Sequence, residues 1–231
     1  MTDGHGRAFL FDSNMGNIIL IRHGQANSAA TDEESYDQLS DLGHRQAAWL
    51  GEYLRDTGQA FDHIHCGTLR RHHETVAGIA MGATVQVDAR LNEMRYFDLA
   101  HAFNAQSGMD MPTCHATFAA HVPHVIQAWA AGDLDHVHQP YADFAQGIVD
   151  AVNSAAQNRG RHLFVTSGGV IAMLMAHVLG LSPLGHARII LPIHNSSITR
   201  FGMGDHGLHL DGFNATPHLD RPDRHHTKTH V

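Results

Sequence analysis

Four short segments of this 231-residue chain carry side chains suited to handling a phosphoryl group. The first is Arg22-His23-Gly24-Gln25. A neutral imidazole can accept phosphorus on nitrogen, an adjacent guanidinium can hold the phosphoryl oxygens in a planar fork, and a glycine lets backbone come close to an anion. Composition alone gives about 0.13 chance occurrences of Arg-His-Gly in such a chain, so the tripeptide gains its weight from position. The second segment is Thr68-Leu69-Arg70-Arg71-His72-His73-Glu74-Thr75. Arg71 falls in the first turn of an expected helix, where a guanidinium and free N–H groups make an anion pocket; a solvated arginine pair is the alternative. The third, Leu91-Asn92-Glu93-Met94, supplies a carboxyl group that burial would fit for protonating a leaving alcohol. The fourth is Thr166-Ser167-Gly168-Gly169, a hydroxyl followed by two glycines that leave room for an anion at Gly168.

These segments need elements to deliver them. Residues 17–21 and 162–166 are short continuous apolar runs of the kind shown by parallel strands covered on both faces. Residues 61–66 and 84–88 read as further strands, and 196–201 and 208–213 as edge strands. Helical spacing runs from the N-cap Ser40 to 56, and over 69–81, 113–131, 141–158 and 170–179. The stretch 90–112 reads as irregular. Alternation of this kind predicts an α/β fold, a mainly parallel central sheet with helices on both faces in three layers. Sites in such folds lie beyond the carboxyl ends of the strands, which is where Arg22-His23, Arg71 and Ser167 fall. Residues 1–16 read as a loose leader, 17–213 as one domain and 214–231 as a His-rich tail.

In order and spacing the chain resembles the histidine phosphatase superfamily, the phosphoglycerate-mutase-like proteins. Five motifs carry the resemblance: Arg-His-Gly-Gln at 22–25, Leu-Ser-x-x-Gly-x-x-Gln-Ala at 39–47, Leu-x-Arg-x-x-x-Thr at 69–75, Leu-x-Glu at 91–93 and Asn-x-Ser-Ile-Thr at 195–199. The resemblance implies that His23 is phosphorylated, that Arg22 and Arg71 bind the phosphoryl oxygens, and that Glu93 donates the proton, with no cofactor and no metal. It also implies a second histidine where Ser167 stands. Serine can hydrogen-bond a phosphoryl oxygen but cannot carry charge, and losing one such donor typically costs about 10²- to 10³-fold in rate. His194 and His218 are the candidates for a compensating histidine. Asn27 and Gln25 are candidate substrate contacts, each with a structural alternative as a turn former or a scaffold residue. Three readings follow in order: a phosphomonoesterase working through phospho-His23, weakened by Ser167; a phosphate-ester-binding protein that has lost catalysis; and a mutase-type phosphotransferase. The last is disfavoured because Lys228 is the only lysine available to hold an acidic substrate.

Composition bounds the partners. A formal charge of −8 lacks the cationic excess needed for a nucleic-acid backbone, and the longest apolar run, 170–181, is broken by His177 and too short to span a bilayer. A small-molecule phosphate ester or a phosphoprotein is the expected partner. Cys66 and Cys114 cannot build a disulfide framework, and no signal organisation opens the chain, so free thiols and a cytoplasmic location are expected. Cys66 reads as a buried structural thiol. Trp49, Trp129 and the methionines of 170–175 read as core. The 23 histidines are the compositional anomaly: protonating all of them would move the formal charge from −8 to +15. The pairs His72-His73 and His225-His226 lack metal-ligand spacing and read as solvated surface.

Overall fold

The computed structural model describes residues 18–27 and 32–230; the expected leader lies outside these. The elements run β1 (Ile18–Arg22), α1 (Glu33–Tyr36), α2 (Asp41–Asp56), β2 (His63–Cys66), α3 (Arg70–Ile79), β3 (Val85–Val87), α4 (Tyr96–Ser107), α5 (His115–Ala131), α6 (Tyr141–Ala156), β4 (His162–Thr166), α7 (Gly168–Leu179), α8 (Pro183–Ile190), β5 (Ile198–Gly204) and β6 (Gly207–Ala215). The strands form one sheet in the order β3-β2-β4-β1-β5-β6. Strands β1 to β4 pair in parallel, and β5 and β6 add antiparallel to β1 and to each other. The fold is therefore α/β with a mostly parallel sheet.

β1 shows why its sequence is apolar throughout. Its side chains alternate between faces: Ile18 and Leu20 join the core under α5, α6 and α7, while Ile19 and Ile21 pack with Leu50, Leu54 and Ile79 of α2 and α3. Both faces of the sheet are covered. Close approach on the α2 side depends on small residues, since a Cβ at Gly51 would sit 2.2 Å from the Ile79 carbonyl oxygen and one at Gly24 would sit 2.4 Å from that of Gly43. Gly24 is thus required by the start of α2, a different reason from the anion approach expected of it.

Several boundaries depart from the sequence reading. The stretch expected to be irregular holds α4, whose buried residues are only Leu99 and Ala100, too few to give a clear helical stripe. α8 is a second element that the sequence reading lacks; Ser182 caps it and Pro183 opens it. β5 is not an edge strand, because β6 covers it. Trp49 is half-buried between Arg45 and Arg224 rather than in the core, with the two guanidinium carbons 6.0 and 4.6 Å from its ring centre. Beyond β6, residues 216–230 lie back on the domain, with Leu219 and His218 buried and Gln46 Nε2 donating to the Thr227 carbonyl. Among the described residues no helix is long and apolar enough to cross a membrane.

Candidate active site

Strand register builds the site. Arg22 lies opposite Thr166 in the β1–β4 pair and Cys66 opposite Val165 in the β2–β4 pair, so the loops after β1, β4 and β2 leave the sheet side by side. β4 lies between the other two. Ser167 therefore emerges between His23 and the loop that leads into α3.

His23 is 1% exposed. Its N–H donates to the Thr166 carbonyl at 2.8 Å, and its own carbonyl accepts from the Ser196 N–H at 3.1 Å, which fixes the backbone from two sides. The ring Nδ1 lies 2.7 Å from the Gly24 carbonyl oxygen. A carbonyl only accepts, so Nδ1 carries the proton and Nε2 the lone pair. Burial, then the Arg71 and Arg22 charges and the neighbouring His72 ring, hold the imidazole pKa well below its usual value and keep the ring neutral.

The two arginines reach this ring from different elements. Arg22 donates from one terminal nitrogen to the carbonyl oxygens of Ile193 and His230, which tethers it to the α8–β5 connection and to the chain's last described residue. Gly168 lies beside it: a Cβ there would be in ordinary contact with Arg22 Nε, at 3.5 Å. Arg71, 1% exposed, lies in the first turn of α3 and is held by Asp37, whose carboxylate accepts from its terminal nitrogen at 3.0 Å and from its backbone N–H at 3.2 Å. The Nε atoms of both arginines are buried without a hydrogen-bond partner in the protein. Two orphaned cationic donors beside a neutral imidazole are what an oxyanion would satisfy.

Glu93 is fastened to the opening of α7. Its carboxylate accepts from the Gly169 and Met94 N–H groups, each at 3.0 Å. Burial raises its pKa against the opposing pull of the Gly169 hydrogen bond, Arg71 and Arg22. A Cβ at Gly169 would fall 2.0 Å from Glu93 Oε1, so the carboxylate holds this position only because the residue is glycine. From Glu93 and Arg71 a cleft of about 900 Å³ opens, bordered by Arg70, Arg90, Arg95 and His138.

Ser167 is completely buried at the N-cap position of α7, yet its side chain makes no capping bond. Its Oγ lies instead 2.7 Å from Nε2 of His72, whose ring centre is 5.8 Å from that of His23. His72 is 0% exposed, which corrects its reading as solvated surface. Helical spacing carried the missing signal: His72, Thr75 and Ile79 recur on the inward face of α3, while His73 turns outward.

The other sequence candidates take up structural positions. His194 is bonded through Nδ1 to Asn214 at 3.0 Å. His218 meets Ser196 Oγ at 2.8 Å and lies against Tyr53. Among the described residues neither ring is paired with His23, Arg71 or Ser167, and the imidazole that meets Ser167 is that of His72. Gln25 is a scaffold residue: its N–H donates to Gln46, and its side-chain oxygen accepts from Ser40. Asn27 donates to the Ser35 carbonyl at 2.9 Å and ties α1 to the His23 loop. Burial pushes the Cys66 thiol up to about 11, as expected of an unreactive buried cysteine.

Known proteins resemble this chain in sequence and in fold. Residues 18–216 match the family model of the histidine phosphatase superfamily, branch 1. A 2,3-bisphosphoglycerate-dependent phosphoglycerate mutase of Latilactobacillus sakei is 29% identical over 119 residues, a match that spans 46% of this chain and less than half, 46%, of that relative. A variant phosphoserine phosphatase from Entamoeba histolytica, solved with phosphoserine, shares the fold with a TM-score of 0.67 at 19% identity, over 89% of this chain and 100% of that one. A mycobacterial hydrolase gives a TM-score of 0.63 at 25% identity, over 86% and 98% of the two chains.

Proposed function

Because the chain belongs to the histidine phosphatase superfamily, branch 1, we propose that it is a phosphomonoesterase that works through a phosphohistidine on His23. The observation that carries this reading is the fixed tautomer of a buried, neutral His23, with Nδ1 given to the Gly24 carbonyl and the Nε2 lone pair left for phosphorus. In the first step that lone pair forms the N–P bond as the P–O ester bond breaks. The departing oxygen takes the proton of Glu93, whose raised pKa supports its being protonated when substrate binds. In the second step water attacks phosphorus, its proton goes to the Glu93 carboxylate, and the N–P bond pair returns to Nε2. The orphaned Nε donors of Arg22 and Arg71 neutralise the phosphoryl oxygens throughout.

The cleft bordered by Arg70, Arg90 and Arg95 suits a small phosphate ester with a second anionic group, of the kind bound by the phosphoserine phosphatase that shares the fold. Each of these arginines already has an acidic neighbour, Glu74, Asp88 and Asp98, so the cleft is not strongly cationic. The presence of Ser167 in place of an imidazole favours one competing reading, a phosphate-ester-binding protein without turnover. Hydrolysis of an aryl phosphate by the wild type, abolished in His23→Ala with the fold intact, supports the phosphomonoesterase; phosphate binding without hydrolysis by the wild type supports the competitor.

A further inference from the structure

Ser167 is chemically idle as a helix cap. An N-cap serine normally accepts from a first-turn N–H, but here Gly169 N–H is taken by Glu93 and the hydroxyl oxygen is hydrogen-bonded to a histidine from another element. That histidine is placed at some cost. Its ring packs so tightly over Gly67 that a Cβ there would lie 2.4 Å from Nδ1, and Nδ1 is buried without a partner. An orphaned buried N–H is rarer than an under-satisfied acceptor, which favours the tautomer with the proton on Nε2. His72 then donates to Ser167 Oγ, and the serine's own O–H is left to donate elsewhere. The β1–β4 pairing ends with Arg22 opposite Thr166, and the His23 N–H donates to the Thr166 carbonyl, so His23 and Ser167 are the first residues to leave the two adjacent strands.

We propose that Ser167 and His72 act as one unit in phosphoryl transfer: the Ser167 hydroxyl donates to an oxygen of the phosphoryl group on its way to or from His23, and His72, donating to Ser167 Oγ, orients and polarises that hydroxyl. No proton changes owner in this arrangement; the pair supplies hydrogen bonding where charge develops on oxygen. Ser167 is the catalytic contact and His72 the positioning residue. The assignment rests on the phosphomonoesterase reading. It places an imidazole within reach of the transferring group by way of α3, so the serine after β4 is half of a two-residue replacement.

The test is a set of variants assayed with an aryl phosphate, each checked for folding by thermal denaturation. Ser167→Ala and His72→Ala should each lower kcat by about 10²-fold, the effect of one preorganised donor, with KM changed less than about 3-fold. The double alanine variant should lose little more than either single one. His72→Gln, which keeps a side-chain N–H donor, should recover part of the loss. Ser167→His alone should be impaired because His72 fills the space, whereas Ser167→His combined with His72→Ala should regain at least about 10-fold over that single variant. Unchanged kcat in folded His72→Ala, strictly multiplicative losses in the double alanine, or a gain in Ser167→His with His72 present would each overturn the unit. A wild type without turnover would remove the phosphomonoesterase reading itself, and the unit with it; a wild type active through His23 but indifferent to His72 would remove the unit alone.

Discussion

Glu93 combines two demands at one carboxyl group: burial favours its protonated form, and hydrogen bonds from Gly169 and Met94 fix its direction. If it protonates the leaving oxygen, its importance must scale with how poor that leaving group is. Glu93→Gln should lower kcat on an alkyl phosphate by about 10²- to 10⁴-fold and on a nitrophenyl phosphate far less. Equal losses on both substrates would assign Glu93 to binding. The same geometry predicts that Gly169→Ala, a change of one methyl group, mimics the Glu93 defect, because the new Cβ and the carboxylate cannot share that position.

α3 owes its function to its first turn. Asp37, at the C-cap of α1, receives the N–H groups of Arg70 and Arg71 and the Arg71 guanidinium, so one carboxylate both completes the helix terminus and aims the guanidinium proposed to bind phosphate. Asp37→Ala should destabilise the fold by about 1–2 kcal/mol, in the range of a lost cap, and raise KM for a phosphate ester; an unchanged KM would mean that Arg71 keeps its aim without Asp37. Elements of this kind were legible in the sequence where period and cap coincide. Ser40 marks the start of α2, and β4 is placed at its observed bounds, because an apolar run flanked by Gly168-Gly169 has one physical solution. α4 was hidden by its thin buried stripe. His72 was hidden by its neighbour: side by side with His73 it reads as a surface pair, and only the 72-75-79 spacing sorts one inward and the other outward. No sequence period could show that Ser167 and His72, 95 positions apart, meet at 2.7 Å, since that contact depends on β4 lying between β1 and β2.

Across the whole molecule the histidine content becomes a stability property. Burial pushes His65, His186 and His218 each down to about 4, and it also holds His23 and His72 well below the usual imidazole value. An unfolded chain binds protons at these sites near pH 6.5 while the folded one does not, so stability is complete above about 6.5 and falls as pH drops toward 4. Each such histidine contributes a slope of up to about 1.4 kcal/mol per pH unit in that window. The melting temperature should therefore drop steeply between pH 7 and 5, and a profile flat over that range would contradict the burial of these rings as neutral groups. The central claim concerns His23, and it is tested most directly by trapping. The wild type, mixed with an aryl phosphate and quenched in base, should carry protein-bound phosphate that survives alkali and is released by acid, and folded His23→Ala should carry none. Equal labelling of the two proteins, or active turnover with no trapped phosphate at any time after mixing, would contradict a phosphohistidine at position 23.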